Sequence, residues 1–190
     1  MNPIIETALE VERFFKTKKW RYCFIGGMAV IRWGEPRFTQ DVDLALLTGF
    51  GSEEKFIHDL TVEFQARIDV LEQFAVKNRV ALLQSRSGVP IDVSLAGLPF
   101  EEKMIKRASV YEVIPNKLIT TCSAEDLIVL KAFANRDKDW SDVRGVLIRQ
   151  QGRLNTDMIL SELQILVELK EEPEILTRLK ELISKKGNYL

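Results

Sequence analysis

A glycine pair followed by a short acidic strand constrains the fold of this chain more than any other feature. The stretch reads FIGGMAVIRWGEPRFTQDVDLAL. Residues 22–25 are apolar and end at Gly26 and Gly27, a pattern typical of a strand that enters a tight turn. Helical character resumes at residues 28–33, and residues 41–47 (DVDLALL) predict a second strand. This part of the chain therefore alternates strands and helices.

Two carboxylates share one face of the predicted acidic strand. Residues i and i+2 of a strand point to the same side, so Asp41 and Asp43 converge while Val42 enters the core. Two like charges close together are unfavourable unless a cation lies between them, and carboxylate oxygens are the ligands that Mg²⁺ prefers. The alternative is an exposed strand face that carries two solvated acids.

A third acid, Asp92, lies in another apolar run at residues 89–95. If this run is an antiparallel neighbour of the acidic strand, Asp92 faces the same side as Asp41 and Asp43. Three carboxylates on one sheet face would hold two metal ions, which clamp a triphosphate and activate an incoming hydroxyl.

The glycine pair predicts a close approach of the backbone to a ligand. Gly26 and Gly27 carry no Cβ, and the N–H groups at a helix start favour an anion such as phosphate. Glycine pairs also form turns that bind nothing, so a simple turn is the alternative.

The remaining pattern predicts a mixed α/β part, residues 1–121, and a helical domain, residues 122–190. The elements expected in the first part are helices at 3–16 and 52–66, strands at 74–83 and 89–95 joined by a hairpin turn at 85–88, and a short hairpin of 110–114 with 118–121. The second part has four predicted helices, at 124–135, 139–150, 156–170 and 173–185. Ser123 is the expected N-cap of the first of these four helices.

The spacing of these motifs resembles that of the polymerase β nucleotidyltransferase superfamily. Thirteen residues separate the glycine pair from Asp-x-Asp, and GGMAVIRWGEPRFTQDVDL is similar to the GGxAxxxxGxxRxTxDxDL pattern of minimal bacterial members. The resemblance implies an α+β fold, with a polymerase-β-like mixed sheet, flanking helices and a C-terminal helical bundle. It implies that Gly26 and Gly27 hold the nucleotide phosphates. It also implies that Asp41 and Asp43 ligate two Mg²⁺ ions and that Asp92 completes the catalytic metal site.

Two further residues match the loop that leads into the acidic strand. The resemblance places Arg37 and Thr39 in this loop and counts them among the nucleotide-binding residues. For Arg37 it implies either a phosphate contact or an anchor for the loop.

The helical part carries a second resemblance. SAEDLIVLKAFANRDKDWSDV is similar to the second conserved block of the AbiEii-type toxin nucleotidyltransferases. The resemblance implies that Lys131 contacts the triphosphate and acts as a catalytic cation for the leaving pyrophosphate, and that Asp139 assists the nucleotide site. Arg136 and Asp142 match the neighbouring positions. The alternative is an amphipathic helix with solvated charges.

Composition limits the classes of function. The 190 residues include 27 Lys and Arg against 28 Asp and Glu, so bulk electrostatics do not favour nucleic acid, although a local basic face is compatible with this balance. Two cysteines, Cys23 and Cys122, are too few for a disulfide framework. The sequence contains no apolar run long enough for a membrane span and no secretory signal pattern in residues 1–12, so we expect a cytoplasmic protein without a membrane partner.

Together, motif and resemblance predict an enzyme that transfers a nucleoside monophosphate from an NTP to an acceptor hydroxyl. The AbiEii resemblance implies the toxin of a toxin–antitoxin pair, acting on RNA (tRNA among the candidates) or on protein, with a cognate antitoxin as partner. Two alternatives stay open: a small-molecule (antibiotic) nucleotidyltransferase, and a member of the fold that binds nucleotide without turnover. Intact acids at all three positions argue against the second alternative.

Overall fold

The computed structural model describes residues 2–185. Within these residues the chain forms nine helices and seven strands. Their bounds are α1 Pro3–Thr17, β1 Tyr22–Phe24, α2 Gly26–Trp33, β2 Val42–Leu47, α3 Glu53–Glu63, β3 Gln65–Ala66, α4 Leu71–Asn78, β4 Val80–Gln84, β5 Pro90–Ala96, α5 Pro99–Arg107, β6 Ser109–Ile114, β7 Lys117–Thr121, α6 Ala124–Ala134, α7 Asp137–Arg149, α8 Thr156–Lys170 and α9 Glu174–Lys185.

The seven strands form one mixed sheet in the order β3-β4-β5-β2-β1-β7-β6. The central pairs β2–β5 and β1–β7 are parallel, whereas β1–β2 and the hairpins β4–β5 and β6–β7 are antiparallel. Strand pairs of both kinds next to separate helices define the α+β class, as the sequence predicted. Asn2 caps the start of helix α1, since its side-chain oxygen accepts a hydrogen bond from the backbone N–H of Ile4 at 2.9 Å. Its apolar face, which includes Ala8, Val11 and Phe15, is fully buried.

The chain divides into two compact units. One contains the sheet and consists of the residues up to Met28 together with Arg37–Cys122. The other contains Ala29–Pro36 together with the residues from Ser123 onward. The short segment joins the helical unit because Val146 packs against Gly34, and because the Gln150 side-chain amide donates to the Trp33 carbonyl at 2.9 Å.

The predicted hairpins and the four C-terminal helices are confirmed. In the β4–β5 turn the backbone N–H of Gly88 donates to the Ser85 carbonyl at 2.9 Å. Ser123 caps α6 as expected, because its hydroxyl oxygen accepts the Asp126 N–H at 3.1 Å. Trp140 is fully buried in the helical unit, where its indole N–H donates to the Asn135 side chain at 2.8 Å.

Two expectations between residues 52 and 83 were wrong. The helix predicted at 52–66 ends at Glu63, because Phe64 is extended and the chain enters β3. The strand predicted at 74–83 starts only at Val80. The residues before it form α4, which Arg79 ends in a left-handed conformation with φ of 58°. The strand predicted over this run is therefore helix in its first half.

Helix α5 was not predicted from the sequence. This helix has proline at its first position, and the Glu101 carboxylate accepts the backbone N–H groups of Gly97 and Leu98, each at 2.8 Å. A proline followed by an acid is a recognisable helix start. None of the described helices is both long and apolar enough to cross a membrane.

Candidate active site

The acids of β2 and β5 lie directly opposite each other. The two strands are parallel, and Asp43 is the register partner of Asp92. Register partners in adjacent strands point to the same face and lie about 4.8 Å apart along the hydrogen-bond direction. The opposite face of β2 carries Val42 and Leu44, both fully buried. The sheet thus presents two half-buried carboxylates side by side on its other face.

The geometry corrects the predicted strand pairing. The antiparallel pairing considered for Asp92 does not occur, because β5 runs parallel to β2. Asp41 was expected inside the strand and instead directly precedes it. It still acts on Asp92: burial raises the pKa of the Asp92 carboxyl above its usual range, and the negative charge of Asp41 adds to this rise.

Gly26 fits against the Asp43 carboxylate because it has no side chain. Its φ is +52°, and a Cβ on it would lie 2.0 Å from Oδ2 of Asp43. The backbone next to it is tied to the same strand, since the N–H of Ile25 donates to the Asp43 carbonyl at 3.0 Å. The start of α2 is therefore held directly beside the acidic strand.

The loop before β2 closes over Gly27 in the same way. A Cβ on Gly27 would lie 2.4 Å from Oγ1 of Thr39. The Thr39 hydroxyl donates to Oδ1 of Asp41 at 3.0 Å and so orients that carboxylate. Arg37 is exposed, and its guanidinium donates to the Phe38 carbonyl at 3.3 Å. The structure thus brings Gly27, Thr39 and Asp41 together.

We expect Gly26→Ala to damage this site more than it damages the fold. The left-handed φ alone costs about 1–2 kcal/mol for an alanine, and the new Cβ displaces the Asp43 carboxylate. The expected result is a loss of stability of about 1–3 kcal/mol with a loss of nucleotidyl transfer of about tenfold or more. Chemical denaturation and label transfer measure the two effects.

Gly88→Ala is the matched control for this substitution. Gly88 has a φ of +80°, and a Cβ on it would meet no atom within 4 Å. The alanine therefore suffers the backbone strain alone, and the variant should keep full transfer activity. Equal activity losses in the two variants would contradict a specific role of Gly26.

Arg67 is a residue of this site that the sequence patterns did not reveal. Its guanidinium forms an ion pair with the carboxylate of Asp92. Its backbone N–H donates to the carbonyl of Leu82, the β4 residue opposite Asp92, at 3.0 Å. The helix wrongly predicted at 52–66 concealed the edge strand that brings Arg67 to this place.

Comparison with known proteins identifies the fold. No protein-family model matches the sequence, and no curated protein is significantly similar to it. Among solved structures, an antigenic nucleotidyltransferase-like protein from Paracoccidioides brasiliensis matches with a TM-score of 0.52 and 13% identity, over 92% of each chain. The chain has a nucleotidyltransferase fold.

Two antibiotic-modifying enzymes share this nucleotidyltransferase fold. The lincosamide antibiotic adenylyltransferase LnuA, lincomycin-bound, matches with a TM-score of 0.50 and 14% identity, over 77% of this chain and 96% of that chain. ANT(2'')-Ia in complex with adenylyl-2''-tobramycin matches with a TM-score of 0.51 and 12% identity, over 92% and 98%. At these identities the likeness establishes the fold.

The acidic side chains of this candidate site suit a hard divalent cation. Asp41, Asp43 and Asp92 offer only carboxylate oxygens, and Gly26 leaves space against one of them. As placed, no three His, Cys, Asp or Glu side chains among residues 2–185 converge on one metal position. Arg67 holds the Asp92 carboxylate in this arrangement, so ligation by Asp92 requires Arg67 to release it.

Lys131 and Asp139 lie together within the helical unit. The Lys131 ammonium contacts Oδ1 of Asp139 at 3.0 Å and Oδ2 of Asp142 at 2.9 Å. Arg136 pairs with Asp139 from the adjoining turn at 2.5 Å. Burial alone would raise the pKa of Asp139, but hydrogen bonds from Arg136 and Lys131 outweigh burial and hold the pKa below its usual value. The predicted phosphate-binding lysine is thus ion-paired with two buried carboxylates.

Proposed function

We propose that this chain is a Mg²⁺-dependent nucleotidyltransferase that moves a nucleoside monophosphate from an NTP to an acceptor hydroxyl. One observation carries the proposal: Asp43 and Asp92 oppose each other in register on parallel strands, with the glycine start of α2 closed against Asp43. A glycine helix start beside paired carboxylates suits phosphoryl-type transfer, because backbone N–H groups at a helix start favour phosphate and carboxylates favour the metal ion that accompanies it.

Each side chain has a distinct task in this proposal. The backbone N–H groups at Gly26 and Gly27 face the nucleotide phosphates. Asp41, Asp43 and Asp92 would hold Mg²⁺, which when bound neutralises phosphate charge and makes the acceptor hydroxyl a better nucleophile. The carboxylate of Asp41 is oriented beforehand by the Thr39 hydroxyl, which lowers the cost of assembling the site.

The proposed transfer needs no reactant other than the NTP and the acceptor. The acceptor oxygen forms a bond to the α-phosphorus, the bond from that phosphorus to the bridging oxygen breaks, and pyrophosphate leaves. The hydroxyl proton passes to solvent. Lys131 is proposed as the cation for the leaving pyrophosphate, on the strength of the resemblance to the AbiEii-type block. Asp139, which the same block contains, pairs with Lys131 at 3.0 Å.

We propose RNA as the acceptor and the toxin of a toxin–antitoxin pair as the biological role. Support comes from the resemblance of one block of this sequence, residues 123–143, to the second conserved block of the AbiEii-type toxins. A cognate antitoxin protein would then be the partner that silences the enzyme. A tRNA end offers the hydroxyl acceptor that such an enzyme needs, and protein hydroxyls are the alternative acceptors in the same role.

A second candidate is a small-molecule nucleotidyltransferase. LnuA with lincomycin and ANT(2'')-Ia with adenylyl-2''-tobramycin share the fold over most of this chain, which favours an antibiotic hydroxyl as acceptor. The two candidates require the same three acids, Asp41, Asp43 and Asp92, and differ only in the acceptor.

Transfer of label from α-³²P NTPs tests both candidates at once. Purified protein is incubated with Mg²⁺ and each NTP in turn, with total RNA, extract protein, lincomycin or tobramycin as acceptor. We expect label in RNA from one preferred NTP, lost on addition of EDTA and in Asp43→Asn protein.

The other outcomes discriminate clearly. Label on an antibiotic alone would replace the toxin proposal with the second candidate. Label that persists in Asp43→Asn protein would show that transfer does not depend on this carboxylate and would overturn the assignment of Asp43 to the metal. A native protein that labels no acceptor and binds no NTP would overturn the proposed function.

A further inference from the structure

The Arg67–Asp92 ion pair joins the edge of the sheet to the acidic cluster formed by Asp41, Asp43 and Asp92. Arg67 directly follows β3, and its guanidinium passes β4 to reach Asp92 on β5. The two side chains are 28% and 33% exposed, so water screens the pair only in part. The hydrogen bond from the Arg67 N–H to the Leu82 carbonyl fixes the backbone from which the side chain extends.

Arg67 pairs with the acid that the other two acids of the cluster repel. Asp92 faces Asp43 across the strand register, and the negative charge of Asp41 also acts on it. Carboxylates at this separation repel each other unless a positive group offsets them. Arg67 supplies positive charge to Asp92 through their ion pair, from the side of Asp92 that faces away from β2.

A divalent cation and Arg67 compete for the same oxygen atoms. A carboxylate that accepts hydrogen bonds from a guanidinium offers fewer lone pairs to a metal, and two cations at one carboxylate repel each other. We propose that Arg67 is the resident counter-ion of Asp92, which a divalent cation must displace, and that Arg67 thereby sets the metal affinity of the acidic cluster. This inference rests on the proposed function only in placing the metal at these three acids.

Arg67 is thus a positioning residue with a measurable effect on metal binding. Removal of its charge leaves the cluster more negative and Asp92 available, so Arg67→Gln should bind a divalent cation about tenfold more tightly. Arg67→Lys keeps the charge but lacks the planar fork, so its affinity should lie between those of the other two proteins. A residue that only pinned β3 to β5 would change stability and leave metal affinity unaltered.

Binding of Mn²⁺ to the full chain, followed by electron paramagnetic resonance of the free ion, tests this directly without turnover. Arg21→Gln is the matched control, since Arg21 is an exposed arginine paired with Glu102 near the opposite end of the strands. It should bind Mn²⁺ like the wild type. Asp43→Asn combined with Arg67→Gln should lose the gain, because the gain depends on the acidic cluster.

The outcomes separate this inference from the proposed function. Tighter Mn²⁺ binding by Arg67→Gln supports the inference, also where the wild type itself binds too weakly to measure. Equal binding by wild type and Arg67→Gln overturns the inference and leaves the metal site in place. Binding by neither protein overturns the inference together with the metal part of the proposed function.

Discussion

Asp43→Asn is expected to reduce NTP-dependent transfer by at least about a thousandfold, because it removes the charge from the centre of the acidic cluster. Asparagine has nearly the size of aspartate, so the space that Gly26 leaves for this side chain stays filled. The change also relieves repulsion with Asp92, its register partner, and we therefore expect stability to change by about 1 kcal/mol or less. Label transfer and chemical denaturation measure these two quantities.

Asp59→Asn is the control for this prediction. Asp59 lies on α3 and pairs with Lys18 at 3.0 Å in a solvent-accessible ion pair, a kind that contributes little to stability. Its replacement should leave both transfer and stability unchanged. Transfer by Asp43→Asn above about a tenth of the wild-type rate would show that the chemistry does not depend on this carboxylate.

The sequence pattern predicted the central part of the site because its residues are close along the chain. Gly26, Thr39 and Asp43 lie within eighteen positions of one another, so a strand, a turn and a second strand are enough to bring them together. Glycine is required at position 26 for a local reason, the positive φ and the nearby carboxylate. A short sequence motif can therefore predict both the proximity of these residues and the need for glycine, because both depend on local backbone geometry.

The pairing of Asp92 was beyond the reach of local patterns. Asp92 lies forty-nine positions after Asp43, and the direction of β5 depends on the elements between them. In that interval α3 was predicted too long, part of α4 was predicted as strand, and β3 was not predicted. Arg67 was missed for the same reason, since its contact with Asp92 exists only once β3 and β4 are in place.

The charges of the helical unit show a different limit of sequence patterns. The motif located Lys131 and Asp139, but their burial depends on the packing of α6 with α7. A lysine that follows Leu127, Ile128 and Leu130 in an apolar helix is equally compatible with a side chain exposed to solvent. The structure shows instead a lysine held by two carboxylates.

Lys131→Met is expected to destabilise the helical unit by about 3–5 kcal/mol, because the two buried carboxylates lose the cation that they share. The Lys131 side chain is 9% exposed, and those of Asp139 and Asp142 are 0% and 5% exposed. Methionine fills most of the same volume, so the effect reports charge rather than a cavity. Thermal and denaturant unfolding of the full chain measure it.

Lys138→Met provides the control, since Lys138 is exposed on the first turn of α7 and its replacement should change stability by about 0.5 kcal/mol or less.

The pH dependence of stability gives a second test of the Lys131–Asp139 charge pair. Because the folded-state pKa of Asp139 lies below its ordinary value of 3.8, the stabilisation is complete above that pH and is lost as the pH falls through the folded-state value. The gap in stability between wild type and Lys131→Met should therefore narrow as the pH falls below 3.8. A gap that stays constant into this acid range would show that packing, rather than the Lys131–Asp139 charge pair, stabilises the unit.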